Sequence, residues 1–217
     1  MTLMPRLMLL LLALSPLSVL AAPAPAALVE GKDYEVIQAP GPLAPLAGKI
    51  EVAEVFGYTC PHCAHFEPLL QAWQKKLPKD VRFTPVPAVF GGYWDSYARA
   101  YYAADQLGVA KRSHVAMFDA LHEKGSLPLS NVSPAELAGF YKDYGVTEQQ
   151  FTTALKSDEV EAKLAVAKSF AQRVKVQGTP SLIVNGKYLV KGTSFESMLR
   201  NADALIARER ERAAKAR

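Results

Sequence analysis

Cysteine is scarce in this chain, which has only two among its 217 residues. Both lie in the segment Cys60-Pro61-His62-Cys63. A structural zinc site takes four protein ligands, but there is no second Cys-x-x-Cys pair, and the four histidines do not follow a compact ligand spacing. The four are His62, His65, His114 and His122. We therefore expect no metal, and an intrachain disulfide has only one possible pairing.

The chain also lacks a strong excess of charge of either sign. It has 25 basic and 21 acidic side chains, a formal net charge of +4. The C-terminal residues 208–217 mix both signs, which is typical of a solvated helix face rather than a binding patch. We expect no nucleic-acid partner.

Long apolar runs are absent except near the N terminus. Arg6 is the only charge before residue 23, residues 7–20 are apolar, and Val19-Leu20-Ala21 fits a small-residue cleavage site. A membrane anchor is the alternative, but about fourteen apolar residues fall short of the roughly twenty needed to span a bilayer. Residues 1–22 are therefore predicted to be a signal peptide, cleaved after Ala21 or Ala22. Export would place the cysteines where disulfides persist.

The cysteine spacing favours redox chemistry. The pair follows an apolar strand pattern and opens a helical one, so Cys60 should cap a helix and Cys63 should lie one turn inside it, within disulfide reach. The helix dipole and His62 would then stabilise a thiolate on an exposed Cys60 sulfur, and Pro61 suits the first helical turn. A stabilised thiolate makes the disulfide oxidising. A purely structural disulfide is the alternative, but so short a loop removes little entropy from the unfolded chain.

Three strands and one helix are predicted in the first part of the chain. Residues 34–37 form a short edge strand, residues 49–56 a more buried strand, and residues 81–84 a strand that ends before Pro85. Between the last two strands, apolar side chains recur at helical spacing. They are Phe66, Leu69, Leu70 and Trp73.

An all-helical block follows, with helices predicted at 94–107, 111–123 and 135–144. Ser133 and Glu136 form a capping box, as do Thr147 and Gln150 at the start of a further short helix. The aromatic residues of the block keep a helical period and are predicted to pack in its core, although some are candidates for a groove that binds unfolded chains. Those four are Trp94, Tyr97, Tyr101 and Phe118.

The last part of the chain returns to strands. A long helix at 160–176 leads to two apolar runs that flank Asn185-Gly186, which predicts an antiparallel hairpin with a type I′ turn. A final helix is predicted at 195–210.

This order of elements resembles an α/β thioredoxin fold with an inserted all-helical subdomain. The closest resemblance is to the DsbA family of periplasmic thiol:disulfide oxidases, and it covers nearly all of the mature chain. It is carried by Cys60-Pro61-His62-Cys63, by Glu54 with Phe56, by His65-Phe66-Glu67, by Gly178-Thr179-Pro180 and by Val184-Asn185-Gly186-Lys187-Tyr188. It implies a thioredoxin-like domain formed by residues 23–91 and 168–217, with the helical subdomain at 92–167.

The resemblance also implies roles for three further residues. Pro180 is expected to be cis, so that Thr179 presents its main chain to an extended substrate beside the sulfurs. Glu54 is expected to be a buried acid beneath Cys63, with a raised pKa, that takes or relays a proton. The alternative for Glu54 is a half-exposed strand residue like Glu51.

Two departures from the family pattern concern the same site. Some relatives pair the buried acid with a lysine on the next strand, where this chain has Thr84-Pro85 and the nearest base is Arg82. Many relatives also have valine before the cis proline, where this chain has Thr179. His65 and Glu67 are expected to lie on the surface.

The function implied is that of a protein disulfide oxidoreductase, working as a dithiol oxidase. Its partners would be reduced or unfolded exported proteins and a membrane quinone-coupled oxidase of the DsbB type, with no cofactor, and the protein would be a periplasmic monomer. A disulfide isomerase or reductase of the same fold is the first alternative. A non-catalytic peptide-binding or chaperone module with an inert disulfide is the second.

Overall fold

The computed structural model describes residues 27–215, so the predicted signal peptide and its cleavage site lie outside the described residues. One five-stranded sheet, in the order β1-β5-β4-β2-β3, lies at the centre. Its strands are β1 Tyr34–Val36, β2 Ile50–Phe56, β3 Val81–Pro87, β4 Ser181–Val184 and β5 Tyr188–Val190. Only the β2–β3 pair is parallel, because the helix α1 (Pro61–Gln74) connects them.

The other helices form an insertion and two flanking elements. The insertion consists of α2 Tyr93–Gln106, α3 Ala110–Phe118 with a π-helical turn at Asp119–Glu123, α4 Pro134–Tyr141 with a 3₁₀ turn at Lys142–Tyr144, and α5 Glu148–Leu155. The long helix α6 (Asp158–Arg173) leads back to the sheet, and α7 (Phe195–Lys215) ends the described chain. An α/β fold with a helical insertion is therefore confirmed. The predicted boundary between residues 167 and 168 lies within α6, and the domain limits stay a prediction.

The sheet separates two apolar clusters. Alternation along β2 places Val52 in the cluster formed with α1 and α7, and Ala53 and Val55 in the larger cluster formed with the insertion. Every residue of β2 is buried, because the strand has neighbours on both sides and helices above and below. The strand β2, which leads into Cys60, is thus packed on both edges and both faces.

Local sequence signals are confirmed at the caps and at the hairpin. Both predicted capping boxes are present, at Ser133 and at Thr147. Asn185 and Gly186 have φ angles of 51° and 61°, as both central residues of a type I′ turn require.

Two predicted ends were wrong. The strand β3 continues through Pro85 to Pro87, since it is an edge strand and its missing proline N–H groups are not needed by β2; the next N–H, of Ala88, bonds to Phe56. Helix α7 extends past residue 210, and Glu209 on its last turns is buried and accepts bonds from Asn185 and Lys187.

The aromatic side chains of the insertion form its core. Tyr97, Tyr101 and Phe118 are buried, whereas Trp94 is partly exposed and its ring lies against Gly57. None of the helices within residues 27–215 is long and apolar enough to cross a bilayer.

Candidate active site

The two cysteines lie where the central strand β2 meets helix α1. Cys60 is the N-cap residue of α1 with an extended backbone, Pro61 occupies the first helical turn, and that turn carries no acidic residue. Cys63 lies one turn inside, as predicted. The Cys60 sulfur therefore faces the free N–H groups and the positive end of the helix dipole.

The Cys60 thiol is strongly acidic. Its pKa falls from 9.0 to about 5, mainly because the Cys63 thiol donates a hydrogen bond to the Cys60 thiolate. The Thr179 side chain and the backbone N–H groups of Cys63 and His62 act in the same direction, and burial opposes them. His62 thus contributes its backbone, while its side chain is exposed.

The Cys63 thiol has the opposite character. Burial raises its pKa far above the ordinary value, and the hydrogen bond to Cys60 and the negative charge of Glu54 add to the effect. Only one of the two sulfurs is therefore an anion at neutral pH, and that sulfur is Cys60.

The predicted exposure of the Cys60 sulfur was wrong. The residue is only 7% exposed, because it lies beneath the loop that carries Thr179, but Cys63 is less exposed still, at 2%. Pro61 and His62 beside it are exposed. Cys60 is thus the more accessible of the two cysteines to an incoming thiolate.

The loop before β4 completes the sulfur site. The Thr179–Pro180 peptide bond is cis, as the resemblance implies. The Cys60 thiol donates a hydrogen bond to the Thr179 carbonyl oxygen at an Sγ–O distance of 3.4 Å. The main chain at Thr179 is therefore directly beside the acidic sulfur.

Glu54 is a buried acid near both cysteines. Its side chain is 2% exposed, and within residues 27–215 its Oε2 atom has no hydrogen-bond partner. Burial, and then the negative charges of Glu67 and Cys60, raise its pKa well above the ordinary value. Burial without a partner thus favours the protonated form of this carboxyl group.

Arg82 does not neutralise Glu54. Its guanidinium donates to Glu51 Oε1 at 2.7 Å and to two carbonyl oxygens of the preceding loop. The expectation of a half-exposed Glu51 was wrong, since the side chain is fully buried and also accepts a bond from the Leu43 N–H. On the neighbouring strands, Pro85 and Leu182 stand opposite Glu54, so neither strand supplies a base.

Glu67 was also misjudged from the sequence. It is 4% exposed rather than on the surface, whereas His65 is exposed as expected. Glu67 lies four residues after Cys63, and residues at i and i+4 share one face of a helix. That spacing is the signal that would have placed it at the site.

Two residues with no predicted role complete the polar surroundings. His114 of α3 has its Nδ1 atom 2.8 Å from the Tyr58 hydroxyl and its Nε2 atom 3.6 Å from Glu67 Oε2. Tyr58 belongs to the turn between β2 and α1, so the insertion reaches the active helix through polar groups. No cluster of His, Cys, Asp and Glu suited to a metal ion is present in the described part of the chain.

Comparison with known proteins agrees with this geometry. The sequence family described as Thioredoxin matches residues 46–204. The crystal structure of the oxidoreductase DsbA from Xylella fastidiosa is 58% identical and covers 84% of this chain and 98% of that one, with a TM-score of 0.83. The structure of Pseudomonas aeruginosa DsbA is 38% identical over 86% and 96% of the two chains, with a TM-score of 0.76. The thioredoxin fold with a helical insertion is thus confirmed.

Curated relatives cover most of the chain as well. The thiol:disulfide interchange protein DsbA of Pseudomonas syringae pv. tomato is 40% identical over 83% of this chain and 84% of its own length. The protein of the same name from Azotobacter vinelandii is 39% identical over 86% of each. With this identity across most of both sequences, the chain belongs to the DsbA family of thiol:disulfide interchange proteins.

Proposed function

We propose that the protein donates its Cys60–Cys63 disulfide to reduced, newly exported proteins in the periplasm. The observation that carries the proposal is the split between the two sulfurs: the pKa of Cys60 falls to about 5, while that of Cys63 rises. Stabilising the Cys60 thiolate stabilises the reduced protein, and a stable reduced form makes the disulfide a strong oxidant.

The reaction begins when a substrate thiolate attacks the Cys60 sulfur. The bond between Cys60 and Cys63 breaks, Cys63 leaves with the electron pair, and a mixed disulfide joins Cys60 to the substrate. Because the Cys63 thiolate is unfavourable in its buried position, it takes a proton. Glu54 is buried nearby and has a raised pKa, and it is the proton donor that we assign to this step.

A second substrate thiolate then attacks the substrate sulfur of the mixed disulfide. A new disulfide forms in the substrate, and Cys60 leaves as its stabilised thiolate. The substrate has lost two electrons, and the protein retains one thiolate and one thiol. The sulfur pair carries the electrons, so the step needs no cofactor.

The remaining residues are assigned to tuning and to substrate binding. Pro61 and His62 shape the first turn of α1, and the backbone N–H of His62 favours the Cys60 thiolate. Thr179 and Pro180 present main-chain groups beside Cys60, where an extended peptide can add hydrogen bonds without a sequence requirement. Regeneration requires a thiol oxidant, and we assign it to a membrane quinone-coupled oxidase of the DsbB type.

The test is an equilibration of the protein with glutathione buffers, followed by a measurement of the oxidised fraction. If the protein is a strong oxidant, it will be mostly reduced even in buffers where glutathione is mostly oxidised. It should also oxidise a reduced unfolded protein, and Cys60→Ser should lose this activity. A disulfide that resists reduction would support a reductase role instead. Rescue of scrambled ribonuclease without net thiol oxidation would support an isomerase.

A further inference from the structure

A buried polar connection joins the active helix to the helical insertion. It consists of Glu67 on α1, His114 on α3 and Tyr58 on the turn before Cys60. The Nε2 atom of His114 lies 3.6 Å from Glu67 Oε2, and its Nδ1 atom lies 2.8 Å from the Tyr58 hydroxyl. Gln71 donates to the other oxygen of Glu67 at 2.9 Å.

The contacts of His114 are compatible with a ring proton that faces Glu67. Burial raises the pKa of Tyr58 well above its ordinary value, so the hydroxyl keeps its proton and can donate it to Nδ1 of His114. With this donor at Nδ1, the ring carries a proton on Nε2, which faces Glu67. The distance of 3.6 Å between Nε2 of His114 and Oε2 of Glu67 is longer than a normal hydrogen bond, so the interaction between them is mainly electrostatic.

The aromatic surroundings hold the imidazole in this orientation. Its ring centroid is 4.9 Å from that of Phe56 and 5.3 Å from that of Phe118. The side chain is 11% exposed, so water does little to screen the charge of Glu67. A carboxylate held in this way exerts a strong electrostatic effect on a neighbouring buried acid.

That neighbouring acid is Glu54, whose Oε2 atom is buried and has no partner among residues 27–215. The titratable groups that affect it or are affected by it are Glu67, Cys60, Cys63 and Tyr101. None of these carries a positive charge. The like charge of Glu67 therefore favours the neutral, proton-carrying form of Glu54.

We propose that Glu67 and His114 are positioning residues for the thiol chemistry: as a buried carboxylate–imidazole pair across the joint between α1 and the insertion, they keep the proton on Glu54 that Cys63 receives. The strand β3 supplies no basic partner that would favour the ionised form of Glu54 instead, because Pro85 is opposite it. This inference rests on the proposed function and deepens it.

A merely structural role for the pair makes a different prediction. Glu67 and His114 would then support the packing of α3 on α1, and their loss would lower the stability of the protein independently of Glu54. A double-mutant cycle between Glu67 and Glu54 separates the two roles, because only residues that act through one another give non-additive effects.

The experiment uses the full oxidised protein in single-turnover oxidation of a dithiol peptide across a pH series. Each rate constant is divided by that of oxidised glutathione with the same peptide, which removes the titration of the peptide thiols. The rate should fall at high pH as Glu54 loses its proton. In Glu67→Gln, the loss of the like charge should shift this fall about one pH unit lower, and the rate above the wild-type midpoint should be about tenfold slower. In a Glu54→Gln background, Glu67→Gln should change the rate by less than about twofold.

Three further variants complete the design. His114→Phe keeps the aromatic packing but removes both polar contacts, and it should shift the fall in rate in the same direction as Glu67→Gln. Its effect should disappear in a Glu67→Gln background. Glu209→Gln breaks the pair between a buried carboxylate and Lys187 at the end of β4 opposite to Thr179, so it should leave the profile unchanged, although it lowers stability.

The outcomes are distinguishable. Equal effects of Glu67→Gln with and without Glu54, together with an unshifted fall in rate, would overturn the inference and leave the proposed function intact. A wild-type protein that does not oxidise the peptide at any pH would overturn the proposed function itself. Thermal unfolding of each variant shows whether it is folded. If His114→Phe does not fold, the isosteric Glu67→Gln still tests the inference.

Discussion

The Cys60 thiol donates a hydrogen bond to the carbonyl oxygen of Thr179, 3.4 Å away and 119 positions later in the chain. This bond requires the thiol proton, so it is lost when Cys60 becomes a thiolate or enters a disulfide. The same carbonyl is the main-chain acceptor that an extended peptide needs. Because Cys60 is a thiolate at neutral pH in the reduced protein, this acceptor should be free for substrate in both redox forms there, and occupied by Cys60 only below its pKa of about 5.

The acidity of Cys60 is the first property to measure. Titration of the reduced protein by thiolate absorbance should show one group with a pKa of about 5, and no second thiolate from Cys63 near neutral pH. Because Cys60 is the less buried of the two, an alkylating agent should modify it alone. A first thiolate that forms only in alkaline solution, or no reaction at Cys60, would contradict the proposed oxidant. Cys60→Ser is the control that should lose both signals.

Local sequence signals were enough for the elements that carry the sulfurs. The Cys-x-x-Cys spacing placed Cys60 at a helix N-cap, and Asn185-Gly186 predicted the hairpin, because each depends on interactions within a few residues. The resemblance supplied the cis bond at Pro180, which no local pattern in this chain requires.

Burial of the acids was not predictable in the same way. Glu51 is buried because the loop that contains Leu43 folds over it, and Glu67 is buried because His114 of the insertion covers it. The residues that bury these two acids come from other parts of the chain, so the pattern of a single strand or helix does not predict the burial. Helical spacing from Cys63 would have placed Glu67 on the right face, but not beneath α3.

The stability of the reduced protein should depend on pH through Cys60. The pKa of this thiol is lower in the folded protein, about 5, than its ordinary value of 9.0. The stabilisation is therefore complete above the ordinary value and is lost as the pH falls through the folded value. Between them, the free energy of unfolding of the reduced form, relative to the oxidised form, should rise with pH by up to about 1.4 kcal/mol per unit.

Urea unfolding of both redox forms at several pH values in this window measures that difference. Comparing the two forms cancels the contributions of titratable groups whose pKa does not depend on the redox state. In Cys60→Ser, the stability should lack this rise with pH. A difference between the redox forms that does not change with pH would mean that Cys60 is no more acidic in the folded protein than in the unfolded chain.

The Thr179 side chain should make the disulfide more oxidising than valine would. It lowers the pKa of Cys60, so Thr179→Val should raise that pKa and reduce the stability of the thiolate. An increase of one unit would favour the disulfide about tenfold in its equilibrium with glutathione at neutral pH. Thr179→Ser retains the hydroxyl and is the matched control. An equal change in both variants would assign the effect to the backbone of the loop instead.

The turn that carries Cys60 should tolerate no side chain at Gly57. A Cβ atom there would lie 2.1 Å from Cζ3 of Trp94, whose rigid ring would have to move. Gly57→Ala should therefore destabilise the protein by about 1–3 kcal/mol and change the tryptophan fluorescence. Gly139→Ala is the control, since a Cβ atom meets nothing within 4 Å at this helical position and alanine favours a helix by about 0.5–1 kcal/mol. Because the Gly57 carbonyl accepts the Cys60 N–H at 3.1 Å, displacement of this turn should also alter the Cys60 pKa. A stable Gly57→Ala variant with unchanged fluorescence would mean that Trp94 does not cover the turn in solution.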